Sequence, residues 1–199
     1  MSGADAVGFG DPFDERDVLN SSPMFSEYLN QLKDLWLRPS DFFEKTVKKG
    51  DDKLASRFVV RTSLLVALEL GFSEALGGGD LRIIAFVTLV LVLVMPFVLS
   101  LWVLLWSLFI RLCAQLLGET LPLDKVRLIV SYSAGGWVTL VLGFGWGLLF
   151  SMIMVFFQAV GFEKVLGYSR WNSRIYAGFP FALLAMLILI FTLLFKVFK

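Results

Sequence analysis

Residues 83–110 read IIAFVTLVLVLVMPFVLSLWVLLWSLFI, a run of 28 residues without a charged side chain. As an α-helix this run extends about 42 Å, whereas the hydrocarbon core of a membrane is about 30 Å thick. An apolar run of this length predicts a transmembrane helix. Because it exceeds one perpendicular crossing, we expect the helix to tilt, protrude or bend, and Pro96 near its middle is the expected bend.

The composition of the whole chain agrees with a membrane protein. Of the 199 residues, 57% are hydrophobic and 18% are charged, against about 25% charged in an average soluble domain. The charges concentrate at the start of the chain, since residues 1–61 hold nine of the 18 lysines and arginines and eleven of the 17 acids. The sequence therefore predicts an all-α, polytopic membrane protein with a polar N-terminal part.

Several classes of function are disfavoured by the residues that the chain lacks. It has no histidine, which removes the commonest catalytic bases and metal ligands. The single cysteine, Cys113, lies in an apolar stretch and is expected to pack as a small hydrophobe. The hydroxyls of residues 131–133 (SYS) have no base beside them, and no face is basic enough for nucleic acid. We expect no catalysis, cofactor, metal ion or nucleic-acid partner.

Four further spans, drawn from three apolar blocks, complete the predicted bundle. The uncharged block 128–162 would be roughly 52 Å long as one helix, and the glycines Gly143, Gly145 and Gly147 at its centre indicate a turn. We therefore divide it into two spans. The predicted transmembrane spans are about 58–78, 83–115, 125–143, 146–166 and 175–196, within a domain of residues 57–199.

The distribution of positive charge predicts the orientation of these spans. With the N-terminus inside, 15 lysines and arginines lie on the cytoplasmic side and three on the far side. The N-terminal residues lack the basic and apolar regions of a signal peptide. We expect a protein of the bacterial inner membrane with a cytoplasmic N-terminus and a periplasmic C-terminus.

The N-terminal part divides into a disordered acidic tail, residues 1–21, and an amphipathic helical element, residues 22–56. Pro39 interrupts the element. Three interpretations remain open: the element caps the cytoplasmic ends of the bundle, anchors at the lipid surface, or docks a partner. The side chains expected to carry the contact with lipid or a partner are Trp36, Arg38, Pro39, Phe42 and Phe43.

Glu69 is the ionisable residue expected deepest in the membrane, and such residues are functional candidates by default. It could bridge helices as a protonated acid hydrogen-bonded to Gln158, form part of a proton or cation path, or lie shallow enough to meet water. Tyr132 and Ser133 are further polar candidates inside the bundle. Close helix packing is expected at glycines, whose missing side chains let backbones approach. These glycines are Gly135, Gly136, Gly143 and Gly147.

The order of these parts resembles the Yip-domain family, whose eukaryotic members are Ypt/Rab-interacting membrane proteins. The resemblance covers about residues 32–195. It is carried by RPSDFF (Arg38–Phe43), LLGETLPLDKVRLIVSYSAGGW (Leu116–Trp137), the glycine-centred hairpin, VGFEKVLGYSRWNSRIYA (Val160–Ala177) and the final span. It implies five spans, a cytoplasmic N-terminus and an outward C-terminus. Residues 134–136 replace a proline frequent in the family, and a eukaryotic Asp-Leu-x-Gly-Pro type of motif is missing, so the chain looks like a prokaryotic member.

What the resemblance implies about function is a non-enzymatic protein that associates with other membrane components. We therefore expect a scaffold, assembly or membrane-organising factor that works through helix and partner contacts, as a homo- or hetero-oligomer. One alternative is a small transporter or channel that uses Glu69. Another is an accessory subunit of a larger membrane complex.

Overall fold

The structure, a computed structural model, describes residues 23–47, 50–142 and 147–197. The predicted all-α class is confirmed for these residues, which form helices and no strand. The expected disordered tail, residues 1–21, lies outside the described residues. In chain order the elements are α1 (Pro23–Leu37), α2 (Pro39–Phe42) with a π-helical turn (Phe43–Val47), α3 (Asp52–Leu76), α4 (Leu81–Leu116), α5 (Leu123–Ser133), a 3-10 segment (Ala134–Leu142), α6 (Gly147–Leu166) and α7 (Arg170–Val197).

Two helices in the described part of the chain are long and apolar enough to cross a membrane. They are α4, with 36 residues, and residues 170–196 of α7. Only 6% of the most apolar window of each helix is buried inside the protein. Their large side chains, such as Phe97 (77% exposed) and Phe191 (64% exposed), face outward. An apolar surface this extensive is compatible with contact to lipid rather than to water.

Two of the other predicted spans, 58–78 and 125–143, correspond to helical segments of a different character. α3 carries charged residues at both ends and Glu69 within it. The predicted span 125–143 is divided between the 11-residue α5 and the 3-10 segment, which begins where Gly135 and Gly136 weaken the α-helix. These segments do not reach the length and apolarity of α4 and α7, so a bundle of five crossings remains a proposal.

The glycines at the helix ends allow the chain to reverse. Gly118 follows α4 with φ of 83°, and Gly167 follows α6 with φ of 73°. Both values fall in the left-handed region that side chains disfavour, and a glycine there commonly ends a helix. α4 continues through Pro96 as a single helix.

The core forms where α5 packs between α3, α4 and α6, with α1 and α2 lying against the same end. Large buried side chains form most of it. The largest of those that are less than 2% exposed are Tyr28, Tyr132, Phe43, Phe58, Phe157 and Phe162. A second group of aromatic side chains joins α4 to its neighbours. Trp102 packs edge-on against Trp137 of the 3-10 segment, and the ring centroids of Trp106 and Phe181 of α7 are 4.6 Å apart.

Candidate functional site

The two phenylalanines of the N-terminal element lie inside the protein. Phe42 is 4% exposed and Phe43 is 0% exposed. The Phe42 ring packs edge-on against Tyr132 of α5, with centroids 5.3 Å apart, and against Phe43 at 5.7 Å. The sequence pattern predicts these rings at a contact surface with lipid or a partner, whereas the structure uses them to hold α2 and the π-helical turn against the bundle. The reason is that the apolar face of this short element meets the apolar ends of α5 and α6.

Tyr132, which the sequence singled out, connects the N-terminal element to α3 as well. It is 1% exposed, and its ring lies 5.1 Å from Phe58 of α3. Phe58 in turn lies 5.4 Å from Tyr28 of α1. Ser133 donates its hydroxyl to the backbone carbonyl of Ile129 at 2.8 Å, so this hydroxyl is used within its own helix. Both predicted polar candidates therefore have structural contacts in this region.

A hydrogen bond adds to the aromatic contacts between α1 and α3. The Tyr28 hydroxyl donates to Thr62 Oγ1 at 3.1 Å, and Tyr28 and Thr62 are both fully buried. Burial is the largest effect on the pKa of Tyr28 and raises it above its usual value, and the charge of Glu69 raises this pKa further. The hydrogen bond to Thr62 and the charge of Arg61 lower the pKa. The net shift is upward, so the phenol stays neutral at physiological pH.

With Phe42 and Phe43 buried, a different set of side chains faces outward from α1. Phe25 is 45% exposed, Leu29 43%, Trp36 36% and Leu37 69%. The first three follow the i, i+4, i+11 spacing of a single helical face. Tyr28 and Leu35, both 0% exposed, lie on the neighbouring side of the helix, about 80–100° around its axis, and fix α1 to the bundle. We call Phe25, Leu29, Trp36 and Leu37 the α1 stripe.

Trp36 is both a contact residue predicted from the sequence and a member of the outward-facing α1 stripe. One side of its ring packs edge-on against Phe157 of α6, with centroids 5.3 Å apart, while about a third of the side chain stays exposed. Arg38 is exposed and Pro39 half-buried, and Pro39 starts α2 at the expected break. Of the five predicted contact residues, three can be reached from outside. The sequence missed Phe25 and Leu29, although their helical spacing with Trp36 was the available signal.

Glu69 and Gln158 are not joined by the hydrogen bond that the sequence suggested. Glu69 is half-buried, and its Oε2 atom has no hydrogen-bond partner among the described residues. Gln158 is 0% exposed, and both its amide nitrogen and its amide oxygen likewise lack a described partner. The physical reason is that α5 and the 3-10 segment pack against both α3 and α6 and lie between them.

Glycines provide close contacts, but partly at positions other than those predicted. A Cβ atom at Gly135 would lie 2.7 Å from Leu35 Cδ2, and one at Gly136 would lie 2.9 Å from Met154 Sδ. These two predicted glycines are at tight contacts; Gly143 lies outside the described residues, and Gly147 starts α6. The sequence missed two others. Gly71 leaves room for Thr88 of α4, and Gly161 leaves room for Ile129 of α5.

A cavity of about 290 Å³ opens where α2 meets the end of α6 and the start of α7. Lys164, Arg170 and Arg174 line it together with Glu163. The Glu163 carboxylate lies 3.6 Å from Arg170 Nε and 4.0 Å from Lys164 Nζ. The sequence counted these cations only as evidence for orientation, because their convergence on one cavity depends on the turn between α6 and α7.

A second cavity, of about 230 Å³, lies between α3, α4 and α5. Arg127 and Ser131 of α5 line it with Ser56 of α3 and Ser100 of α4. No group of three or more acidic, cysteine or histidine residues that could hold a metal ion occurs among residues 23–47, 50–142 and 147–197.

Comparison of the chain with known protein families, with curated proteins and with solved structures finds no match.

Proposed function

We propose that the chain is a five-span membrane protein, a prokaryotic relative of the Yip-domain family, that acts as a scaffold, assembly or membrane-organising factor without catalysis. Its proposed place is the bacterial inner membrane, with the N-terminus in the cytoplasm. The outward apolar surfaces of α4 and α7 support the membrane location. The 15 to 3 distribution of lysine and arginine supports the orientation.

The observation that carries the contact function is the α1 stripe. Leaving a large apolar side chain exposed to water, rather than burying it fully, costs about 1.5–3 kcal/mol. α1 nevertheless holds Phe25, Leu29 and Trp36 outward, because Tyr28 and Leu35 lock the helix in one rotation about its axis. A rigid helix with an apolar outer face is suited to lie at the lipid boundary or to receive a partner helix.

The test replaces the stripe and leaves the locked face intact. The variant Phe25→Ser with Leu29→Ser removes two outward apolar side chains, and Asn30→Ser with Gln31→Ser is the matched control on the polar part of α1. After gentle solubilisation, mass spectrometry measures which proteins co-purify with each full-length variant. We expect the stripe variant to lose partners that the wild type and the control retain, with unchanged topology by reporter fusion.

Two results of this experiment would count against a scaffold. Wild-type co-purification in the stripe variant would remove the stripe as the contact surface. A partner set of fixed stoichiometry on a native gel would assign the chain instead as an accessory subunit of a larger complex.

A transporter or channel is the second candidate, and the Oε2 atom of Glu69, which has no hydrogen-bond partner among the described residues, favours it. A polar atom that is buried without a hydrogen bond is costly, and intramembrane carboxylates commonly mark ion paths. Purified protein in vesicles would show proton or cation flux that the isosteric variant Glu69→Gln abolishes. Absence of flux in the wild type would remove this candidate.

A further inference from the structure

The cavity at the junction of α2, α6 and α7 carries an excess of positive charge. Its lining includes the three cations Lys164, Arg170 and Arg174 and the single carboxylate of Glu163, which leaves a formal charge of +2. Glu163 is shared between Lys164 and Arg170. Arg174 is exposed and makes no ion pair with a described residue. One carboxylate cannot neutralise three cations, so the cavity keeps a net positive charge, which favours an anion.

An apolar track leads along α6 to this charged end. Met152, Phe156, Val160 and Lys164 follow one another at intervals of four residues, which places them on one helical face. Met152 is 61% exposed and Phe156 53% exposed, whereas Lys164 at the end of the row is charged. The apolar part of the row, from Met152 to Val160, rises about 12 Å along the helix, against the roughly 15 Å of one hydrocarbon leaflet. The face is thus apolar over most of the depth of a leaflet and cationic at its end.

We propose that this cavity binds the phosphate-bearing head group of an anionic phospholipid, with an acyl chain along Met152, Phe156 and Val160. The inference rests on the membrane placement of α6 and α7 in the proposed function, but not on partner contact by α1.

The chemistry of the lining residues fits a phosphate group. The planar guanidinium groups of Arg170 and Arg174 can each donate two parallel hydrogen bonds to phosphate oxygens, and Lys164 supplies a point charge. Ser40 of α2 adds a hydroxyl donor on the opposite wall. Glu163 would hold Arg170 and Lys164 in place rather than touch the anion. Basic pockets between membrane helices are a recurrent way to bind charged lipid head groups.

The source of the phosphate can be decided by comparing three probes. Purified full-length protein in a neutral detergent is titrated with short-chain phosphatidylglycerol, with phosphatidylcholine of the same chain length, or with inorganic phosphate, and bound ligand is measured by native mass spectrometry. We expect phosphatidylglycerol to bind at least about tenfold more tightly than phosphatidylcholine, whose choline cancels the phosphate charge. Inorganic phosphate should bind more weakly still, since it lacks the chain that covers Phe156.

Matched variants separate this cavity from general electrostatic attraction. Arg170→Gln with Arg174→Gln removes two positive charges from the cavity, and Lys53→Gln with Arg57→Gln removes two from exposed positions on α3. The cavity variant should lose at least about tenfold in phosphatidylglycerol affinity, because charge-assisted contacts to phosphate are among the strongest hydrogen bonds. The control should change by less than about threefold, since isolated exposed charges contribute little. If the double variant does not fold, Arg174→Gln alone tests the cavity, because this substitution breaks no ion pair with a described residue.

Three results would overturn the inference. They are equal binding of the two lipids, an equal loss in the α3 control, and displacement of phosphatidylglycerol by inorganic phosphate at equal concentration. The last result would assign the cavity to a soluble phosphate. Because partner co-purification depends on the α1 stripe and lipid selectivity on Arg170 and Arg174, partner contact can fail while the lipid site stands, and the lipid site can fail while partner contact stands.

Discussion

Replacing Phe43 by alanine tests whether the N-terminal element is part of the folded core. Phe43 is 0% exposed, and removing a fully buried phenylalanine costs about 3–5 kcal/mol through lost transfer energy and the cavity left behind. Phe25 in α1 is the matched control: it is 45% exposed, so Phe25→Ala should cost roughly 1 kcal/mol. For a chain of this size each kcal/mol lowers the melting temperature by about 2–4 °C. We therefore expect a decrease of roughly 6–20 °C for Phe43→Ala and of about 2–4 °C for Phe25→Ala.

The protein contains its own reporter for this experiment. Cys113 is the single cysteine of the chain and is 2% exposed, so a thiol-reactive fluorophore labels it only when the bundle opens. Limited trypsin cleavage at the exposed Lys45 reports separately whether the N-terminal element detaches first. The reasoning is refuted if Phe43→Ala and Phe25→Ala lower the labelling temperature equally and leave Lys45 equally protected. That result would mean that the Phe43 ring is on the surface.

Three further expectations concern packing, pH and orientation. Gly161→Ala should destabilise the protein by about 1–2 kcal/mol in the Cys113 labelling assay, because the new methyl group overpacks against α5. A Cβ atom at Gly178 would meet nothing within 4 Å, so Gly178→Ala should be neutral or stabilising by up to about 1 kcal/mol. Tyr28→Phe should cost about 0.5–1.5 kcal/mol at neutral pH through the lost hydrogen bond. The folded protein raises the pKa of Tyr28, so the stabilising contribution of this residue is complete below about pH 10 and is lost as the pH rises through the higher folded pKa. Tyr28→Phe should therefore lose less stability under alkali than the wild type does. Equal losses of stability would contradict this expectation. A reporter inserted between residues 164 and 174 should be active only in the cytoplasm, and periplasmic activity would reverse the proposed threading.

The sequence predicted those structural features that depend on residues close together along the chain. An uncharged run such as 83–110 predicts a helix long and apolar enough to cross a membrane, and the structure places it in α4 with most of its side chains outward. Pro39 lacks a backbone N–H and constrains its neighbours, so the predicted break between α1 and α2 followed from local chemistry. The glycines Gly135 and Gly136, a residue type with low helix propensity, lie at the start of the 3-10 segment.

The direction in which an amphipathic helix presents its apolar side chains was not available from the sequence. A helical pattern shows that Phe42 and Phe43 share a face, but it does not say whether that face meets lipid, a partner or the protein itself. The structure decides this by bringing Tyr132 against Phe42, so that Phe42 and Phe43 are buried, whereas Phe25 and Leu29 of α1 face outward.

Local sequence alone thus determined the helical class, the apolar character of the long helices and the positions where helices are interrupted, because each of these features depends on residues close in sequence. Only the tertiary structure decided that Glu69 and Gln158 remain apart, that Gly161 receives Ile129, and that Arg170 and Arg174 converge with Lys164 on one cavity. These contacts depend on how helices distant along the chain are placed side by side. That placement is set by the sum of many weak packing interactions rather than by any one residue pattern.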